Sequence, residues 1–481
     1  MPLAAKSPTR LHVLQNLSLI TVSILAIPLS TIVLFSSLVI DSCRHISLEK
    51  SSTPREPRDK REPQAQAQPP SPACLAPAPK TILVTGVGMS KGLFIARAFH
   101  AAGHVVIGAD FEPHSLPVCG RFSKALKRFY RLPSPAEEGR GEKVYTQKLL
   151  EIINTEQVDL WISCSGVMSA VADGEAAEAV ERHTACVAIQ FGSQLTRTLH
   201  EKHSFIENTR LLGLNVPETF LVTSVEDAMQ VLESMARLGT QKAQRRYVLK
   251  SVGVEDAVRA DMTLLPLASR AATRAHLARA RPCPARPFVL QLFVQGPEYC
   301  THAIVVRGRV VGFTACRSAE LLMHYEPLLP DDSIFRALLD YTETYVERMA
   351  LGLGQEHEYM TGHFSIDFLL DENEQAGKEL QLRLFPIECN PRAHTAVVNF
   401  GKDGQDMVNA YLSALSHSHS PIANDAVFVS SSTTRHYWIG HDLITRLLLP
   451  IFSGKGDWAA CGLLERSYVR DVGSAAGVVD V

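Results

Sequence analysis

The chain has 481 residues, 46% of them hydrophobic, and 48 Lys plus Arg against 50 Asp plus Glu leave a formal net charge of −2. That length accommodates roughly two to four domains with sizeable cores, and the near-neutral balance gives no broad field that would draw nucleic acid or acidic partners. Ten cysteines, scattered from Cys43 to Cys461 without a C-x-x-C pair, exclude a zinc ribbon or a disulfide framework and point to a reducing compartment.

The first element in chain order is an apolar run at 17–40, flanked by the charges of Arg10 and Asp41. A membrane-crossing helix needs about 20 apolar residues, and Pro28 within the run is tolerated in a bilayer. The run is too long for a signal-peptide core and lacks a small-x-small exit. The flank after it carries Arg44, Lys50, Arg55, Arg58, Lys60 and Arg61; the flank before it carries Lys6 and Arg10. The expectation is therefore a segment 1–41 holding a single-pass transmembrane helix, with the rest of the chain facing the cytosol. Residues 42–79 are charged and rich in proline, from Pro54 to Pro79, and read as a disordered linker.

Order is expected from Lys80. Thr81–Thr85 is a buried-strand run, followed by Gly86-Val87-Gly88-Met89-Ser90-Lys91-Gly92, a helical stretch to His100, and a second strand from Val105 ending in Asp110. This is a β-α-β unit with parallel strands. A glycine-rich turn into a helix can cradle phosphate, but these glycines follow G-x-G-x-x-x-G instead of the dinucleotide spacing. The short-chain dehydrogenase pattern also needs a glycine where Ser90 stands and a Tyr-x-x-x-Lys pair, and neither is present. The unit reads as structural, shaping a substrate cleft. Further strands are expected at 158–164 and 187–190, with a helix from Ala170 to Arg182 and another from Gln194 to Leu212. Strands then recur at 247–250, 288–294, 300–306 and 310–316, the last two joined at Arg307-Gly308-Arg309. An amphipathic helix spans 332–352.

Two further strands carry the chemistry. One is Phe364-Ser365-Ile366-Asp367-Phe368; the other is Ile387-Glu388-Cys389-Asn390-Pro391-Arg392. Strand alternation puts Glu388, Asn390 and Arg392 on one face and Cys389 on the other. Acids and an amide can hold Mg²⁺ against phosphates, and a guanidinium can neutralise a transferred phosphoryl group.

In order, Glu201-Lys202-His203-Ser204-Phe205 with Gly213 and Pro217, Tyr247-Val248-Leu249-Lys250, Gly296-Pro297-Glu298-Tyr299, the Asp367 strand and the Glu388–Arg392 strand resemble the ATP-grasp enzymes, in the branch of carbamoyl-phosphate synthetase large-subunit modules. The resemblance covers about residues 80–418. The phrases Thr85 to Gly92, Asp261 to Pro266, Glu320 to Tyr325 and Tyr437 to Asp442 are similar to fungal ATP-grasp ligases of secondary metabolism, of the mycosporine-glycine ligase kind.

The resemblance implies an α/β and α+β chain: a Rossmann-like pre-ATP-grasp domain at 80–200, a two-lobed ATP-grasp domain at 201–418, and a C-terminal extension at 419–481 in place of a full post-grasp region. It implies that Lys202 and Lys250 contact ATP phosphates. The backbone of Gln291, Leu292 and Phe293 would hold the adenine edge, and Glu298 the ribose. Asp367, Glu388 and Asn390 would ligate Mg²⁺ or Mn²⁺, and Arg392 would face the transferred group. His363 and His394 flank the metal residues and read either as substrate contacts or as satisfied structural histidines. The chain departs from the family at the flap, which has the single glycine Gly253, and at Leu292, where a glutamate is usual.

The implied partners are small-molecule acid and amine substrates and, through the N-terminal helix, a membrane. The implied reaction is ATP-dependent carbon–nitrogen bond formation. Carboxyphosphate or carbamoyl-phosphate formation, and a non-catalytic membrane-tethered nucleotide-binding protein, stand as alternatives.

Overall fold

The structure, a computed structural model, describes residues 78–112, 116–135, 141–164, 166, 169–237, 245–252, 261–318, 324–354, 360–371, 382–401, 404–416 and 427–437, with isolated helical positions between 17 and 32. The chain divides into two units, Met1–Ala78 with Leu443–Gly462, and Pro79–Asp442 with Leu463–Val481. All that follows on fold and site concerns the second unit.

The expectation of a single-pass transmembrane helix is corrected. Among the described residues no helix is long and apolar enough to cross a membrane. An apolar run is necessary for a span but not sufficient: crossing needs an unbroken helix of about 20 residues. The run at 17–40 also includes Pro28 and seven serines and threonines, and most of it lies outside the described residues. The linker expected at 42–79 and the flap around Gly253 lie almost wholly outside them too, as does most of 419–481.

The unit begins with a parallel sheet. β1 (Thr81–Thr85) pairs on one side with β2 (Val105–Phe111) and on the other with β4 (Leu160–Ser163); β3 (Arg128–Leu132) and β5 (Val187–Ile189) form the edges. The order β3-β2-β1-β4-β5 is that of a doubly wound sheet. Its crossovers are α1 (Ser90–Ala101), α2 (Gly141–Glu156) and α3 (Ala170–His183). β1 and β4 are buried on both faces, as parallel strands between helices must be. β3 is the strand the sequence reading passed over: Arg-Phe-Tyr-Arg-Leu is an edge strand with two arginines, and only Leu132 is buried.

Between residues 193 and 211 one helix was expected and two are found, α4 (Ser193–His200) and α5 (Lys202–Leu211). The break is at Glu201, which leaves helical geometry with φ −82° and ψ 123°. Its carboxylate accepts the backbone N–H of His203 at 2.8 Å and of Ser204 at 2.7 Å. An acidic cap satisfies amides that no helix can satisfy internally, so the cap starts a new helix.

A small lobe follows. β6 (Thr219–Val222), β8 (Phe288–Leu292) and β7 (Tyr247–Ser251) make an antiparallel sheet in that order. It is backed by α6 (Val225–Arg237) and α7 (Arg270–Ala280) around Leu232, Leu249, Leu277, Phe288 and Leu290.

The larger lobe is a five-stranded sheet built on β9 (Glu298–Val306), β10 (Arg309–Arg317), β12 (Gly362–Leu370) and β13 (Leu384–Asn390), ordered β13-β12-β9-β10 with β14 (Phe428–Val429) at its edge; the short β11 (His324–Tyr325) pairs instead with His436–Tyr437. β9 and β10 turn at Arg307 (φ 48°) and Gly308 (φ 72°), two left-handed residues in succession, the backbone of a tight hairpin turn. α8 (Ser333–Leu353) starts at Asp332, whose side chain accepts the Ile334 N–H at 2.7 Å, and buries Phe335, Leu338, Tyr345 and Val346 in the core under this sheet. The other face of the sheet meets the parallel unit. Ile95, Ala96 and Phe99 of α1 share one core with Ile304 and Val306 of β9 and with Val397 and Phe400.

Candidate active site

β12 and β13 run antiparallel with Asp367 directly opposite Glu388 and Ser365 opposite Asn390. In such pairs the Cβ atoms stand about 5 Å apart, and like charges directly opposite repel. Burial first, then the carboxylates of Glu388 and Glu298, push Asp367 well above the usual carboxylate range. Cys389, between the two polar positions, is 3% exposed and packs into the core beside Phe364 and Tyr345. The alternation read from the sequence is therefore the alternation in the strand. Asn390 bridges the acids and the arginine: its Nδ2 donates to Asp367 Oδ2 at 3.3 Å, and its Oδ1 accepts from Arg392 Nη2 at 3.0 Å.

Lys202 leaves the first residue of α5, placed there by the Glu201 cap. Its Nζ lies 2.6 Å from Glu388 Oε2, both side chains being about a quarter exposed. Lys250 comes from β7 in the small lobe and donates to Gln291 Oε1 at 2.9 Å; Gln291 Nε2 in turn donates to Thr219 Oγ1 at 3.2 Å. Burial first, then the Lys202 charge, lower Lys250 to about 8, against the opposing pull of Glu388 and Glu298. Glu298 opens β9 and pairs with Leu369 of β12. At the end of β8 the Leu292 N–H donates to the Glu218 carbonyl and the Phe293 N–H to the Arg246 carbonyl, each at 2.7 Å. Both amide hydrogens of that segment are thus engaged within the small lobe.

The structure therefore brings Lys202, Lys250, Glu298, Asp367, Glu388, Asn390 and Arg392 within electrostatic reach of one another, from five different elements and the loop after β13. The carboxylates of Asp367 and Glu388 and the amide oxygen of Asn390 are hard donors of the type Mg²⁺ prefers. Their mutual repulsion, visible in the raised Asp367, is what a divalent cation relieves. The donor set fits such an ion.

The two histidines have structural partners. His363 Nε2 meets the Tyr411 hydroxyl at 2.9 Å. His394 Nδ1 accepts the Ala396 N–H at 3.1 Å and so caps the short 3-10 turn Thr395–Phe400. Burial, with the Arg392 and Lys91 charges, drives His394 down to about 3, and burial with Lys91 does the same for His363. Both are neutral imidazoles. Cys300, Asp367 and His394 also converge, with ligand atoms within 4.8 Å of one another. The thiol there already faces Cys316 Sγ at 3.2 Å, and the imidazole is committed to its cap.

Two side chains at the site escaped the sequence reading. The Gln291 side chain, and not its backbone alone, serves the site, because it orients Lys250; its signal in the sequence is a lone amide in the apolar strand Phe-Val-Leu-Gln-Leu. Lys91 is 3% exposed and donates to the Ala393 carbonyl at 2.8 Å. Nothing in its local sequence marks it, because its partner lies 302 residues away.

The glycine turn before Lys91 already has an anion on one of its amides. The Gly88 N–H is taken by Asp110 Oδ2 at 2.6 Å, so the carboxylate at the end of β2 fills the place an anion would occupy. A Cβ on Gly92 would stand 2.4 Å from the Gly86 carbonyl oxygen, which fixes glycine there for packing.

No protein-family model matches the chain, and no curated protein matches it. Among solved structures it is similar to an L-amino acid ligase from Bacillus licheniformis (15% identity, 67% of this chain and 69% of that one, TM-score 0.44). It is also similar to the ADP complex of an N5-carboxyaminoimidazole ribonucleotide synthetase (16% identity, 67% and 72%, TM-score 0.46). A third likeness is to the N5-carboxyaminoimidazole synthase of Aspergillus clavatus in complex with ADP and its ribonucleotide (14% identity, 70% and 77%, TM-score 0.44). At such identities and TM-scores these likenesses do not bear on what this chain binds or does.

Proposed function

We propose that the chain is an ATP-dependent ligase of the ATP-grasp type that phosphorylates a carboxylate or acidic enol and couples it to an amine. The observation that carries this reading is the convergence of two lysines, three carboxylates, Asn390 and Arg392 between a small antiparallel lobe and a larger sheet. Structural salt bridges have no need of so many charges, and of these Lys250 and Asp367 have their ordinary protonation disturbed.

In this reading the triphosphate lies along Lys250 and Lys202, whose charges offset those of the phosphates. The adenine edge rests against Gln291–Phe293, and the ribose against Glu298. Asp367, Glu388 and Asn390 would hold Mg²⁺ or Mn²⁺, which when bound draws charge from the phosphate oxygens. A substrate oxygen attacks the terminal phosphorus and the bond to ADP breaks, while Arg392 faces the group in transit. The amine then adds to the activated carbon, phosphate departs with its electron pair, and the amine loses a proton. No enzyme nucleophile is required, and Cys389, buried on the far face, is in no position to serve as one. Acid and amine substrates of secondary metabolism, as in the fungal mycosporine-glycine ligases, are the class proposed on the sequence phrases given above.

The test is release of ADP and phosphate from the purified full chain with MgATP and a panel of acids and amines. Stoichiometric ADP dependent on both an acid and an amine supports the ligase. ATP turnover with bicarbonate alone would favour carboxyphosphate formation instead. Absence of any MgATP binding at millimolar nucleotide would sink the reading altogether.

A further inference from the structure

Lys91 sits in the first turn of α1, after a glycine turn whose Gly88 amide is taken by Asp110, and it reaches across to the loop after β13. The turn that carries it is rigidly specified. Gly92 abuts the Gly86 carbonyl, a Cβ on Gly120 would stand 2.0 Å from the Val87 carbonyl oxygen, and Asp110 holds the Gly88 amide. From that fixed base the ammonium is buried at 3% exposure and bonds the Ala393 carbonyl at 2.8 Å. Ala393 stands between Arg392 and His394.

The loop is held on its other side by its own sheet. The Arg392 N–H donates to the Asn390 carbonyl at 2.8 Å, and Ser365 Oγ donates to the Arg392 carbonyl at 3.3 Å. Lys91 is thus a polar tie from the parallel unit to the peptide that follows the arginine, beside the apolar packing of Ala393 in the core shared with α1. Burial and the nearby Arg392 charge lower it to about 8, while Asp173 and Asp110 oppose the shift. A second buried cation beside Arg392 is electrostatically costly, so packing alone would favour an apolar side chain of the same length.

We infer that Lys91 is a positioning residue: by fixing the Ala393 carbonyl it sets the direction of the chain at Arg392 and so presents the guanidinium to the phosphoryl group in transit. This rests on the reading of Arg392 given above. It gives the parallel unit a part in the chemistry, through one hydrogen bond to the phosphate end of the site.

The experiment compares binding of MgADP, alone and with aluminium fluoride, to the full-length wild type, Lys91→Met and Lys91→Gln. MgADP with aluminium fluoride mimics the transferring phosphoryl group and needs no knowledge of the acid or amine. Lys91→Met keeps wild-type affinity for MgADP within about twofold but loses about tenfold to a hundredfold of the tightening that aluminium fluoride brings, the cost expected of a misplaced charge. Lys91→Gln, which keeps an N–H donor without the charge, retains most of the tightening. Full tightening in Lys91→Met would overturn the inference. So would equal losses in Met and Gln, because the charge and not the tie would then matter. If the wild type binds no MgADP, the nucleotide reading fails and this one with it; if it binds MgADP but aluminium fluoride adds nothing, the fault lies with the role given to Arg392. A melting transition for each variant separates these results from loss of folding.

Discussion

Lys202 and Glu388, 186 residues apart in the chain, form a partly buried ion pair of 2.6 Å across the mouth of β13. The lysine that would meet phosphate and the carboxylate that would meet metal neutralise each other in the free protein. On the proposed function, binding of the metal nucleotide would exchange this pair for two new ones. Removing either partner leaves the other partly desolvated, a loss larger than that of an exposed pair.

Glu388→Gln is expected to weaken divalent binding while leaving the fold intact, since a glutamine fills the same space. Mn²⁺ binding followed by electron paramagnetic resonance should weaken by about tenfold or more for Glu388→Gln and for Asp367→Asn, the scale of losing one charged ligand. Wild-type Mn²⁺ affinity and full turnover in both variants would defeat the metal assignment.

Affinity for the nucleotide should fall on the alkaline side because of Lys250. Its free value of about 8 is low because burial and Lys202 disfavour the cation, with Glu388 and Glu298 opposing. Bound phosphates favour the cation and raise that value. Below about 8 the lysine is already charged and affinity is flat; above it, binding must take up a proton and affinity drops by up to about tenfold per pH unit. Calorimetry near pH 8.5 in buffers of different ionisation enthalpy should read this proton uptake, and Lys250→Met should show less of it, what remains coming from Lys91, also lowered to about 8. An identical alkaline limb in that variant would assign the effect elsewhere.

Gln291→Leu should act through Lys250. Loss of the 2.9 Å bond frees the ammonium and strands Thr219 without its amide. The expectation is a KM for ATP raised about tenfold with a stable fold, the worth of one hydrogen bond to a charged group. An unchanged KM would show that Lys250 finds its place without help.

Gly92→Ala tests the rigid turn. Its new Cβ would lie 2.4 Å from a backbone oxygen, with no flexible side chain to yield. Overpacking of this kind costs about 1–3 kcal/mol, to be read as a lower melting temperature. Gly103→Ala differs: there φ is +84° and nothing lies within 4 Å, so any loss comes from backbone strain alone.

Much of this site is written in short stretches of sequence, because strand alternation has a period of two. Glu388 and Asn390 could be placed together, and Cys389 opposite them, from that period alone. The β-α-β start at Thr81 was legible for the same kind of reason: buried strands and a glycine turn are local signals. The break at Glu201 was not read, since a glutamate inside a helical pattern looks helical until its carboxylate is seen to bind two amides ahead of it. β3 was missed because its arginines mask a strand that is half solvent-facing. Lys91 and the Gln291 side chain were out of reach because their partners come from other elements. The apolar run at 17–40 misled in the opposite sense: composition records how oily a segment is, and among the described residues no helix is long and apolar enough to cross a membrane.

Asp110 turns the Gly88 amide into a donor already answered from within. A redesign that restored dinucleotide glycine spacing to this turn would still meet a resident carboxylate, repelling the very anion it was meant to admit. Removing that carboxylate would strip the turn of its internal counterpart and loosen the base from which Lys91 reaches Ala393. The first turn of the parallel sheet thus answers its own amide and carries, in place of an open anion cradle, a fixed arm that ends on the peptide between Arg392 and His394.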